Sequence, residues 1–169
     1  MDPIAVLVDF LESLSHDPLL YSIVFYIYSV MATVFLPIPV EIGLFLSPTA
    51  PIWLKALVLG LGKATGSVIV FMLGGKLENP LNSLAGRWGW FQSFVGLMHR
   101  FVAKTRYFGL YAILSIPLMV DTVPIYLFAI FNQKGTMDLP RFALTNFAAG
   151  VTRALIVYGI FLYFNIILV

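Results

Sequence analysis

The chain has 169 residues, 60% of them hydrophobic and 11% charged, with a formal net charge of +2 and a mean hydropathy of +0.96. A soluble domain runs at about 45–50% apolar and about 25% charged residues, so one buried core cannot absorb this excess and lipid is the expected solvent. The small positive balance gives no case for nucleic acid, and the absence of cysteine excludes disulfides, thiolate catalysis and cysteine metal sites.

The first residues, Met1-Asp2-Pro3 followed by Asp9, Glu12 and Asp17, lack the positive charge with which a signal peptide opens, so the first hydrophobic stretch is expected to be retained. Residues 2–15 read as a short interfacial amphipathic helix, capped by Asp2 and carrying Ile4, Val8 and Leu11 on one stripe. Leu19 to Leu36 is an uncharged run of 18 residues, long enough to cross a bilayer at about 1.5 Å per residue. The next stretch, through Pro37, Pro39, Glu41 and Pro48, is apolar, too broken by proline for one straight helix and too short to span. A re-entrant hairpin fits both constraints.

Residues 54–75 form a second span with Lys63 inside it and small residues Gly60, Gly62, Ala64, Gly66 and Ser67 along it, which permit close helix approach. Residues 76–106 carry Lys76, Arg87, Arg100, Lys104 and Arg106 against Glu78, interleaved with Trp88, Trp90, Phe91, Phe94, Met98 and Phe101. That mixture reads as an interfacial helix, and its basic excess places the segment in the cytoplasm. Residues 107–131 are hydrophobic but broken by Pro117, Asp121 and Pro124, residues 132–141 form a turn, and a last span from Phe142 to Val169 contains Arg153.

The two broken segments share a pattern, Pro37-x-x-Val40-Glu41 and Pro117-x-x-Val120-Asp121, each followed by a span with one cation, Lys63 or Arg153. Pro-interrupted apolar segments at matching places in two halves point to a transporter binding site. The expected fold is an all-α integral membrane domain over residues 1–169. It is an inverted repeat of re-entrant hairpin plus transmembrane helix, with halves at 1–75 and 107–169 about the interfacial helix 76–106. Leu19–Leu36 is expected to run outward and 54–75 inward, which puts the N-terminus and 76–106 in the cytoplasm. Five prolines, Pro37, Pro39, Pro48, Pro117 and Pro124, shape the hairpins.

An ionisable group at membrane depth costs at least about 2.5–3.5 kcal/mol, so it requires a partner or a wet cavity. Glu41 and Asp121 are the candidates for proton exchange or charge balance. The bland alternatives for Glu41 are a place at the headgroup level or a structural pair with Lys63. Lys63 neutralises an acid or snorkels to an interface; Arg153 holds a carboxylate or a phosphate, or is structural. His16 and His99 match no metal-ligand spacing, no Ser/His/Asp set or phosphate loop is present, and neither enzyme activity nor a cofactor is expected.

Phe35-Leu36-Pro37-Ile38-Pro39-Val40-Glu41, the small-residue run Gly62-Lys63-Ala64-Thr65-Gly66-Ser67 closing on Gly74-Gly75-Lys76, Tyr107-Phe108-Gly109, and Met137-Asp138-Leu139-Pro140-Arg141-Phe142 with Asn146 resemble the DedA family, also known as the VTT or SNARE-associated membrane domain. The resemblance covers about residues 30–160. It departs around Pro117, where the family has arginines and this chain has Leu114, Ser115, Met119 and Val120, so the family's hairpin arginine is not carried over. The resemblance implies a flippase or scramblase of lipid or polyprenyl phosphate in the plasma membrane. Its partners would be membrane lipids and protons, with Glu41 at the position linked to proton coupling. A small-solute or cation exporter and a non-transporting scaffold are the alternatives. The small interior left by three spans favours a homo-oligomer.

Overall fold

A computed structural model describes residues 17–36, 38–45, 47, 49–85, 89–132 and 135–164. The described residues are all-helical with no strand. Five α-helices follow in order: α1 (Pro18–Val34), α2 (Ile52–Ala85), α3 (Gly89–Leu114), α4 (Thr122–Ile130) and α5 (Leu139–Tyr163), with a 3-10 segment at Val40–Phe45 between the first two. The expected interfacial helix 2–15, Pro37, Pro48 and Trp88 lie outside the described residues.

The helix starts obey local chemistry. The Asp17 carboxylate accepts from the backbone N–H of Leu19 and Leu20 at 2.9 and 3.2 Å, and Asp138 accepts from Arg141 N–H at 2.9 Å. Both helices carry proline in their first turn, where no N–H is needed. Pro124 likewise falls in the first turn of α4 and is buried there, so it starts a helix instead of breaking one. Pro117 lies in the non-helical stretch between α3 and α4. Arg106, at φ 45° and ψ −137°, kinks α3 into two pieces.

Two helical stretches, Ile52–Lys76 and Leu139–Tyr163, each 25 residues, are long and apolar enough to cross a membrane; α1, at 17 residues, is shorter. One boundary differs from the sequence expectation. Gly74-Gly75-Lys76 ends the apolar stretch but not the helix, because polarity ends a span while the backbone ladder continues to Ala85. Residues 76–106 are therefore not one interfacial helix; they divide between the end of α2 and the start of α3.

Close contacts fix the helix directions. The Lys55 ammonium lies 6.0 Å from the Tyr21 ring centroid. A Cβ on Gly62 would meet Ser29 Cβ at 2.4 Å, and one on Gly66 would meet Thr33 Cβ at 2.7 Å. The partners climb both helices together, so α1 and α2 run in the same direction. Between them the chain descends along α1: the Tyr28 hydroxyl donates to Pro39 O at 2.9 Å, the Tyr21 hydroxyl to Gly43 O at 3.0 Å, and the Lys55 ammonium to Leu44 O at 2.8 Å. The expectation that Leu19–Leu36 and 54–75 run oppositely is corrected here. An uncharged run of 18 residues has the length of a span, but its tyrosine hydroxyls bind a returning arm, and α1 with residues 38–45 forms one up-and-back unit. Asp17 consequently lies at the end of the bundle opposite residues 76–106, not beside them.

The later elements pack against these. Phe71 meets Phe142 at 5.0 Å between centroids, and a Cβ on Gly150, later on α5, would lie 3.0 Å from Gly60 Cα, earlier on α2, so α5 runs against α2. The α3–α4 pair turns back at residues 115–121. Phe101 and Phe128 pack at 5.9 Å near its open end, while Leu114 O and Asp121 both touch Lys63 at its tip. Two buried apolar clusters adjoin, one around Tyr21, Phe25, Leu44 and Leu59 and the other around Leu110, Ile125, Phe128 and Phe142.

Candidate functional site

Glu41, Lys63, Asp121 and Arg153, far apart in sequence, come together in the interior. Lys63 and Arg153 are fully buried, and Glu41 and Asp121 are 2% and 1% exposed. The Lys63 ammonium lies 3.1 Å from Asp121 Oδ1, Arg153 Nη1 lies 2.9 Å from that same oxygen, and Arg153 Nε lies 3.2 Å from Glu41 Oε1.

Backbone groups complete the set. Lys63 also donates to Leu114 O at 3.4 Å. Arg153 donates through Nε to Ile116 O at 2.9 Å and through Nη2 to Met119 O at 2.8 Å, with Nη2 also on Ile116 O. The Leu114 carbonyl is free because α3 ends there and the last carbonyls of a helix have no partner within it, and Ile116 and Met119 lie in the non-helical stretch that follows. Leu114 O is at the negative end of the α3 dipole, where cations are favoured, while Asp121 stands at the positive N-terminus of α4. The break between α3 and α4 thus creates acceptors for two cations and a favourable place for one anion.

The tip is joined to the first unit. Leu118 N–H donates to Glu41 Oε1 at 2.8 Å, which holds Leu118 at φ 60°. The Thr122 hydroxyl donates to Ala32 O at 2.9 Å and Leu36 O at 3.2 Å. Pairing is reciprocal: Lys63 of the first half binds Asp121 of the second, and Arg153 of the second binds Glu41 of the first. Arg153 then bridges to Asp121.

Two alternatives raised by the sequence are removed. Lys63 and Glu41 form no ion pair among the described residues, and Lys63 does not snorkel, because its ammonium is turned to Asp121 in the interior. Glu41 is buried against the second unit and is not at an exposed mouth. Each ion withdrawn from water carries a desolvation penalty of several kcal/mol, which only good geometry and further hydrogen bonds offset. Two cations and two anions balance in charge, yet Glu41 Oε2 and Asp121 Oδ2 are buried with no hydrogen-bond partner.

Glycines make the assembly possible. A Cβ on Gly150 would lie 3.0 Å from Gly60 Cα and 3.0 Å from Lys63 Cδ, so α2 and α5 cross backbone to backbone beside the charges. Gly60 precedes Lys63 by three residues and Gly150 precedes Arg153 by three. This Gly-x-x-cation pattern was readable and unused. Lys55 and Thr122 carried no signal in the sequence, since their partners are carbonyls from distant segments. Farther along α5, Asn146 is buried, donates to Phe142 O at 2.9 Å and leaves its own oxygen without a partner. His99 stands apart, with Nδ1 3.2 Å from Phe131 O.

No family model, curated protein or solved structure matches the chain.

Proposed function

We propose that the chain is a multi-pass membrane transporter, a flippase or scramblase for a lipid or lipid phosphate, built as an inverted repeat of a re-entrant hairpin and a spanning helix. In this reading α1 with residues 38–45 enters from one side, and the second piece of α3 with α4 enters from the other. The tips meet at the four charges, and α2 and α5 cross the bilayer in opposite senses. Outward apolar surface supports a lipid solvent: Leu19, Ile23, Ile27, Met31 and Phe35 recur every four residues on α1 and are all exposed, a ridge that water would not favour. The basic segment 76–106 is then cytoplasmic, while Asp17 and the end of α5 face the outside.

The observation that carries the reading is the convergence of Lys63 and Arg153 on Asp121 Oδ1 where the two units meet. Two cations around one oxyanion make a site that a phosphate oxygen enters when the carboxylate withdraws or is protonated. The unpartnered second oxygens of Glu41 and Asp121 are the places where a proton would bind. The resemblance to the DedA family points to the same cargo class.

The test is reconstitution in liposomes with fluorescent-headgroup phospholipid and an impermeant reductant. Wild type should bleach well beyond the outer-leaflet half, and Glu41→Gln and Asp121→Asn should stop near it at equal incorporation. If wild type also stops near half, the assay moves to a polyprenyl phosphate under a pH gradient, and failure there removes lipid transport. Ion-coupled solute flux without lipid movement would establish the exporter instead.

The sealing of all four charges at 2% exposure or less favours a second reading, a scaffold whose ions pair only to hold the units together. Glu41→Gln that unfolds the protein, with no transport by wild type, would leave that reading standing.

A further inference from the structure

An open groove of 380 Å3 runs along the flank of the bundle between the second piece of α3 and the first half of α5. It is lined by Tyr107, Phe108, Tyr111, Leu144, Thr145 and Ala148. Its volume lies within the range of about 300–1,000 Å3 common for small-molecule sites, and its walls are almost wholly hydrocarbon and aromatic ring. Phe108 and Leu144 are 80% and 65% exposed, so the groove opens sideways, in the direction from which a lipid would arrive.

Its two ends differ in chemistry. At one end Arg141 stands a single helical turn before Leu144 and Thr145, and exposed Arg106 and Lys104 flank Tyr107. Arg141 is only loosely engaged, 3.5 Å from an Asp138 that is itself half-exposed, and the Tyr107 hydroxyl is held by Asp138 N–H at 2.7 Å. At the other end the Tyr111 hydroxyl meets the Thr152 hydroxyl at 2.8 Å. Thr152 is the neighbour of Arg153, and Ile116, whose carbonyl binds Arg153, lies just beyond the end of α3. A hydrocarbon wall therefore leads from exposed cations to the buried ones.

We propose that this groove seats a lipid whose phosphate headgroup is net anionic, with its chain against Phe108, Tyr111, Leu144 and Ala148 and its phosphate at Arg141, Arg106 and Lys104. This rests on the membrane-transporter reading and deepens it, because the seat is the lateral entry from which a phosphate passes to Lys63 and Arg153. Charge complementarity selects the occupant: the exposed cations beside this end of the groove, Arg141, Arg106 and Lys104, outnumber the half-exposed Asp138 there.

The test is photo-crosslinking of the full chain in liposomes with a diazirine-tailed phosphatidylglycerol or phosphatidylcholine, followed by peptide mapping. Wild type should be labelled at residues 107–111 and 144–148 well above the exposed ridge of α1, and more by the anionic lipid. Ala148→Trp, which fills the groove, should reduce that labelling to the ridge level. Arg141→Gln should keep chain labelling and lower the anionic preference about fivefold, the factor one basic residue contributes near an anionic headgroup. Even labelling over all outward apolar positions, or equal labelling by both lipids, overturns the seat. Lipid flux with even labelling rejects the seat alone; groove labelling without flux supports the seat and rejects the transporter.

Discussion

Lys63 and Arg153 bind the same oxygen of Asp121, at 3.1 and 2.9 Å, from helices that run in opposite directions. One carboxylate thus keeps two buried cations apart and ties both long helices to the start of α4. Its removal is worse than the loss of two hydrogen bonds, because the cations remain in the interior facing each other.

Asp121→Asn should therefore destabilise the protein by about 3–5 kcal/mol, the usual cost of stripping one partner from a buried ion set. Asp121→Asn combined with Lys63→Met removes one stranded cation and should recover a substantial part of that loss. Denaturant unfolding in detergent micelles, followed on all three variants, measures the coupling. Strict additivity of the two substitutions would show that the ions do not act as one set.

The crossing of α2 and α5 depends on a missing side chain. Gly150→Ala places a methyl 3.0 Å from Gly60 Cα, and backbone cannot step aside as a flexible side-chain tip can. The two helices must separate, at a cost of about 1–3 kcal/mol typical of overpacking. Gly159→Ala meets nothing within 4 Å and should be neutral or stabilising by up to about 1 kcal/mol from helix propensity. Thermal unfolding of the pair decides it: equal midpoints would show that the helices do not touch at Gly150.

Helix directions make a topological prediction that the cysteine-free chain is suited to test. Thr49→Cys, at the foot of α2, and Gln92→Cys, at the start of α3, should react with an impermeant maleimide from opposite sides of oriented vesicles. With the basic segment inside, Gln92→Cys is the one protected in intact cells. Labelling of both from one face would show that α2 does not cross the bilayer.

The four charges were legible in the sequence because an ion in an apolar run has few bland explanations. Their partners were not, since Leu114, Ile116 and Met119 contribute only carbonyls and any residue type supplies those. The direction of α1 was misread because length alone cannot distinguish a span from one arm of a hairpin. The difference lies in Tyr21 and Tyr28, whose hydroxyls bind Gly43 O and Pro39 O, and a tyrosine in an apolar run does not announce its acceptor. The apolar span ends at Gly74-Gly75-Lys76 as the sequence indicated, but composition does not show that the helix itself continues to Ala85.

Leu118 is the residue whose backbone is most at odds with its side chain. It sits at φ 60°, a left-handed conformation that costs an ordinary residue about 1–2 kcal/mol, and its side chain is 75% exposed, so little packing compensates. What holds it is its N–H, bound to Glu41 Oε1 at 2.8 Å. Leu118→Gly keeps that N–H and removes the strain, so stability should stay level or rise by up to about 1 kcal/mol after the entropy of a freer unfolded chain is subtracted. Glu41→Ala should reverse the balance, because nothing then holds the strained turn and Arg153 loses a counter-ion. Leu118→Gly should gain more in wild type than in the Glu41→Ala background, where the released turn has already shed its strain. A double-mutant cycle on unfolding midpoints measures that excess, and a value of zero would mean that the turn is fixed by something other than Glu41.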